Sequence, residues 1–263
     1  MAAAAEDLGS AHASAVRRAA ASTQSVQRAL VLLDQFTAQQ PTHTVDQLSR
    51  LSGVPRSTVY RLLTLLRAHE LVEQAGDNRY QLGPRAITMG YVARSMTDMA
   101  GLWRPALLAL AAATLETALV MRRVGNSAVC VDRVECDHPV RLSFEVGRTM
   151  PLHAGAGAKV ILAYSPADLR AGYIEQAVPA ADRGRLGAEL ARIRAQGWAD
   201  SSGEVDQGIW AVAAPVSGGR ERLHAISVAL PEYRLDPERR ETLRAAILDA
   251  AAELREKLVY YGS

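Results

Sequence analysis

From Ser25 onward the chain alternates between stretches whose apolar residues recur every three to four positions and stretches where they recur every second position. The first spacing stacks side chains along one face of an α-helix, the second along one face of a β-strand. In SVQRALVLLDQFTAQQ, the positions Val26, Leu30, Leu33 and Phe36 predict a helix with Ser25 as its N-cap and Pro41 beyond its end. THTVDQLSRLSGVP predicts a short second helix capped by Thr44, with Val45, Leu48 and Leu51 inward and Gly53 at a left-handed stop. A third helix starts at or beside Ser57, runs to about Ala68, and buries Val59, Leu62, Leu63 and Leu66. LVEQAGDNRYQLG then reads as a strand, a turn at Gly76-Asp77-Asn78, and a second strand. A short helix, a glycine turn, a second helix and a hairpin wing predict a winged helix-turn-helix domain over residues 23–83.

PRAITMGYVARSMTD continues as a helix over 84–98 with a narrow apolar set, Ile87, Met89, Tyr91 and Val92. Following a complete small domain, it is expected to be a linker helix that packs against a partner chain. LWRPALLALAAATLETA predicts another helix, with Pro105 confined to its first turn. The period then changes again. ALVMRRV, SAVCVDRVE and VRLSFEVG are strand-like, separated by Gly125-Asn126 and by Asp137-His138-Pro139. Helices are expected at AKVILAYS, around 166–176 and over 181–196, followed by the strands GIWAVAAPV and LHAISVALP. A long amphipathic helix capped by Asp236 closes the chain. Runs of strands with helices before, between and after them predict an α+β domain with one antiparallel sheet over residues 99–263.

Composition narrows the class. The 263 residues favour two domains, and about half are apolar without any apolar run long enough to span a bilayer. Residues 1–22 lack a basic start followed by an apolar core, so a disordered leader is expected rather than a secretory signal. Two cysteines, Cys130 and Cys136, cannot staple a fold of this size, which favours the cytoplasm. The net charge of +2 neither demands nor excludes nucleic acid. The local pattern is more informative. The third helix leaves Arg56, Ser57, Thr58, Tyr60 and Arg61 off its apolar stripe, with no acid between Arg56 and Arg67. Residues at that end of such a helix reach base edges in the major groove, and Arg79, near the wing tip, is placed to touch the DNA backbone.

PLHAGAGAKVILAY, residues 151–164, tempts a nucleotide-binding reading. A phosphate loop needs Ser or Thr after its lysine to hold Mg²⁺, and Lys159 is followed by Val160. Read from its residues alone, the loop is a tight turn with Lys159 as a surface charge. His153, Lys159 and Glu204 are titratable but lack a nucleophile signature, so no enzyme is expected, and His153 reads as a hydrogen-bonded structural residue. Cys130, Cys136 and His138 lack both a close ligand pair and a fourth ligand, so no metal or other cofactor is expected. The remaining alternative to a DNA-binding regulator is a small-molecule-binding metabolic protein or enzyme with an appended helical domain.

Three stretches in order resemble the IclR-type bacterial transcription regulators. They are SVQRALVLLDQF…TVDQLSRLSGVPRSTVYRLLTLL…NRYQLG, VGRTMPLHAGAGAKVILA, and QGWADSSGEVDQGIWAVAAPV. The resemblance implies a winged helix joined by a linker helix to a GAF-like effector and oligomerisation domain. It implies operator DNA, a small-molecule effector and a homodimer or dimer of dimers as partners, without membrane attachment. It also implies an effector pocket at Leu142, Gly155, Ala156, Gly157, Ser201, Ala211 and Ser227. Ser201 stands where some members carry an acid, so it supplies no anchoring charge. The polar-poor lining suggests an aromatic or mid-sized organic acid, and the resemblance implies control of catabolic genes.

Overall fold

The computed structural model describes residues 24–37, 40–97, 103–138, 144–217 and 223–261. It divides into two compact units whose boundary falls between Ala93 and Arg94.

The N-terminal unit opens with α1 (24–33). Strand β1 (His43–Thr44) leads into α2 (Val45–Ser52), and α3 (Arg56–Ala68) follows. Thr44 and Gln47 form a capping box in which each side chain binds the other's backbone N–H, and Gly53 ends α2 at φ 68°. The turn is pinned from α2, since Ser49 Oγ donates to the Val54 carbonyl at 2.7 Å and Val54 N–H donates to Ser52 Oγ at 3.2 Å. Strands β2 (Val72–Gln74) and β3 (Arg79–Leu82) form the wing hairpin, and β1 adds to it in the order β1-β3-β2. Leu48, Val59, Leu63 and Val72 are the centre of the core.

Three expectations fail here. Ser25 lies inside the first turn of α1 rather than capping it. The helix also buries Leu32 (0% exposed) and leaves Val26 and Leu30 more than half exposed. Ala29, Leu33 and Phe36 pack beside Leu32, so the buried stripe is rotated from the expected one. Leu51 is likewise exposed, because α2 buries only Val45 and Leu48.

Helix α4 (Pro84–Thr97) crosses the boundary between the units. In the C-terminal unit, α5 (Trp103–Thr114) precedes the hairpin β4 (Thr117–Val124) and β5 (Ser127–Val134). Then come β6 (Thr149–Pro151), α6 (Ala156–Tyr164), α7 (Ala167–Ala177) and α8 (Ala180–Gln196). The chain ends with β7 (Ala199–Ser202), β8 (Ile209–Ser217), β9 (Leu223–Pro231) and α9 (Pro237–Tyr261). The strands make one six-stranded antiparallel sheet, β6-β5-β4-β9-β8-β7. Alternate residues of β4, β8 and β9 serve opposite faces. Val120, Val212 and Val228 join the layer of α5 and α9, whereas Leu119, Met121, Ala213 and Ala225 join the layer of α6 and α8. Asp236 caps α9 through the N–H of Arg239 at 2.7 Å.

Of the expected third strand VRLSFEVG, residues 140–143 lie outside the described residues. Residues 144–147 of VRLSFEVG form no strand, and pairing with β5 resumes beyond the turn at Gly147. Gly147 N–H donates to the Cys130 carbonyl at 2.8 Å, and Cys130 N–H donates to the Arg148 carbonyl at 3.0 Å. The short edge strand β7 was not anticipated. Among the described residues no helix is long and apolar enough to cross a membrane.

Candidate functional site

Two surfaces carry recognisable chemistry, one in each unit. On α3, the buried positions Val59, Leu62, Leu63 and Leu66 turn the opposite side of the helix to solvent. Arg56, Ser57, Tyr60 and Arg61 are exposed and Thr58 is half-buried. Pro55 precedes the helix and offers no side-chain cap, so the first N–H groups of α3 meet no side-chain acceptor. Helix N-termini of that kind attract phosphate oxygens. Thr64 and Leu65 are also exposed on α3, and periodicity alone marks them.

Two of the basic residues are engaged within the protein. Arg56 Nε lies 2.8 Å from Asp46 Oδ1, both side chains being more than half exposed. Such a pair is weak, and phosphate contacts can replace it. Arg79 is held more firmly: its guanidinium donates to Thr42 Oγ1 at 2.9 Å and to the Thr42 carbonyl at 3.0 Å. It braces β3 against the segment before β1 rather than pointing freely from the wing.

The second surface is a cleft at the N-terminal end of α6, enclosing about 430 Å³ including the part open to solvent. Strand register builds its floor. Ser201 faces Ala211 across β7 and β8, and Ala211 faces Ala229 across β8 and β9. One row away, Leu119 faces Ser227. Gly155, Ala156, Gly157, Ser201, Ala211 and Ser227 all line this cleft, with Leu119, Met121, Phe144, Met150, Ile209 and Ala229 as apolar walls. Leu142 lies outside the described residues.

Backbone geometry explains the glycines. Gly155 sits at φ 88°, and a Cβ there would come within 2.9 Å of Val205 Cγ2. A Cβ on Gly157 would lie 2.8 Å from Met121 Sδ. The polar groups of the cleft are already partnered. Gly155 N–H donates to Glu204 Oε2, and Ala156 N–H donates to Ser201 Oγ, both at 2.9 Å. Ser227 Oγ donates to the Val212 carbonyl at 2.9 Å.

Lys159 is not a surface charge. It is 1% exposed, and its Nζ lies 2.6 Å from both Glu189 Oε1 and Glu204 Oε1. The ammonium thus ties α6 to α8 and to the loop after β7. His153 Nδ1 and the Tyr173 hydroxyl lie 2.8 Å apart, and burial pushes the phenol up from its ordinary value. The Cys130 thiol is pushed up to about 12 by burial and is inert as a nucleophile. Among the described residues no group of three or more His, Cys, Asp or Glu could hold a metal ion. The sequence pointed to the small residues of the cleft and to Ala211, but not to the larger walls Leu119, Met121, Phe144, Met150 and Ile209. Leu119 and Met121 stand two residues apart on the same strand face, a spacing that marks them only as a pair.

Two family models match. One, describing the IclR helix-turn-helix domain, matches residues 25–76, and one describing the bacterial transcriptional regulator IclR C-terminal region matches residues 92–256. The HTH-type transcriptional regulator XynR of Escherichia coli K12 is 31% identical over 246 residues, which cover 90% of this chain and 98% of that protein. An IclR-type regulator from Silicibacter sp. TM1040 superposes with a TM-score of 0.81 at 26% identity, covering 89% of this chain and 96% of that one. An IclR homologue from Microbacterium hydrocarbonoxydans, solved in complex with 4-hydroxybenzoate, has the same fold at a TM-score of 0.68 and 18% identity, over 88% of this chain and 99% of that one. The chain belongs to the IclR family of bacterial transcription regulators, with a DNA-binding helix-turn-helix domain and an effector-binding C-terminal domain.

Proposed function

We propose that this regulator responds to a small organic or aromatic acid and controls catabolic genes. Residues 23–83 recognise the operator, 84–98 link the domains, and 99–263 bind the effector and oligomerise. Arg56, Ser57, Thr58, Tyr60 and Arg61 enter the major groove, while Arg79 orients the wing through Thr42. The effector sits among Leu142, Gly155, Ala156, Gly157, Ser201, Ala211 and Ser227, bound but not transformed.

The observation that carries this reading is the cleft at the start of α6, where apolar walls meet a backbone N–H that already accommodates a carboxylate, that of Glu204. A ring fits against Phe144, Met121 and Met150, and a helix N-terminus suits an anionic head group. The 4-hydroxybenzoate complex of the homologue is in keeping with that chemistry. The regulator acts in the cytoplasm as a homodimer or dimer of dimers, and the exposed apolar residues of α4, Ile87 at 77% and Tyr91 at 73%, support the self-association. Effector binding acts by its differential affinity for conformations that do and do not match the operator half-sites. The test is binding of labelled DNA from upstream of the gene, titrated with aromatic and aliphatic acids. A specific complex weakened or strengthened by one of them is expected; a specific complex indifferent to every acid would remove the effector assignment.

A further inference from the structure

The loop joining β7 to β8 lines the cleft through Glu204, Val205 and Asp206. It begins at Gly203 (φ 65°) and ends at Gly208 (φ 75°), and Gly203 N–H closes its base on the Ile209 carbonyl at 2.8 Å. Between these glycines, every charged side chain is latched inward. Glu204 accepts from Gly155 N–H at 2.9 Å and from Lys159 Nζ at 2.6 Å. Asp206 takes both nitrogens of Arg148, at 2.9 and 2.8 Å. Val205 fills the space that a side chain at residue 155 would occupy.

The loop's own carboxylate therefore occupies the place best suited to an anionic ligand. Lys159 is surrounded already, with Glu189 as a second partner. A ligand carboxylate entering beside them would put three anionic groups around one buried cation, with like charges repelling in a medium that screens poorly. An acid can bind there only if Glu204 leaves. A neutral ligand of the same shape creates no such conflict and leaves the latch closed.

We propose that residues 203–208 are a gate latched by Glu204, and that an acidic effector opens it by replacing that carboxylate at the Gly155 N–H and Lys159. The proposal rests on the effector reading above and adds its trigger, ligand charge. Opening frees the loop that joins β7 to β8, so ligand charge becomes loop displacement.

Hydrogen–deuterium exchange and calorimetry on the full chain test this with acetate, benzoate and 4-hydroxybenzoate, each beside its primary amide. At least one carboxylate should raise exchange across 203–208 in the wild type, while its amide does not. In Glu204→Gln and Glu204→Ala, that carboxylate should bind roughly tenfold more tightly, the factor set by removing one charge-assisted competitor. The Gln variant keeps the side-chain shape and guards against a folding defect in the Ala variant. Equal carboxylate affinity for wild type and Glu204→Gln, loop opening by the amide, or no binding of any carboxylate would each overturn the gate. DNA binding measured in parallel separates the two claims. An acid that opens the loop but never alters DNA binding sinks the effector reading alone, whereas an amide that releases DNA sinks the gate alone.

Discussion

Replacing Lys159 by methionine removes the cation that two carboxylates share while retaining most of its apolar stem. Lys159 is the larger desolvated partner: its side chain is 2% exposed, against 25% for Glu189 and 35% for Glu204. Stranding a fully buried charge costs about 3–5 kcal/mol. Here the stranded groups keep part of their hydration, which lowers the expected loss to about 2–3 kcal/mol. For a domain of this size that is a fall in Tm of about 5–10 °C. All three tryptophans, Trp103, Trp198 and Trp210, lie in the C-terminal unit, so their fluorescence reports its unfolding in denaturant. The midpoint should fall with an unchanged m-value. Adding Glu189→Gln and Glu204→Gln should restore most of the loss, because the penalty is in the unpaired charges rather than the missing contact. A loss below about 0.5 kcal/mol, the range of ordinary surface substitutions, would refute the reasoning.

Other consequences are as direct. Arg61→Ala should weaken specific DNA binding by about 1–3 kcal/mol at fixed salt if it reads a base, measured by anisotropy; a uniform loss across sequences with a shallower salt slope would make it a phosphate contact instead. Ala156→Val or Gly157→Val should blunt the response to effector while leaving operator affinity intact, and an intact response would reduce the α6 loop to a turn. Gly83→Ala puts a Cβ 2.3 Å from the Glu70 carbonyl oxygen, and should destabilise the wing by about 1–3 kcal/mol, visible as faster proteolysis of the N-terminal unit. Raising the Cys130 pKa favours the protonated native state. Its contribution is complete below about 9 and is lost as pH rises toward about 12, and iodoacetamide should spare it in the folded protein.

The parts of the fold legible in the sequence are those where local chemistry and periodicity agree. The Thr44–Gln47 box, Gly53 and the stripe of α3 specify the helix-turn-helix without tertiary information. The orientation of α1 was not legible, since Leu30, Leu32 and Leu33 offer overlapping stripes and the packing partner chooses Leu32. VRLSFEVG alternates like a strand, yet its described part, 144–147, forms none, and β5 pairs with Thr149–Pro151 beyond the turn at Gly147. At the cleft, small residues in PLHAGAGAK announced close approach, but not what approaches. Lys159 has no periodic reason to be buried. Its carboxylate partners come from positions 30 and 45 residues away and meet only after α8 and β7 have folded over α6.

In the proposed mechanism, one chain couples operator binding to a ligand in the α6 cleft. Fluorescence anisotropy of DNA from upstream of the gene, titrated with protein at fixed salt in the presence and absence of a carboxylate that binds the cleft, tests it directly. The expected result is a specific complex whose affinity the carboxylate changes at least several-fold, with Gly157→Val binding DNA normally and losing that change. A complex with no sequence preference, or a ligand effect that survives Gly157→Val undiminished, would contradict it.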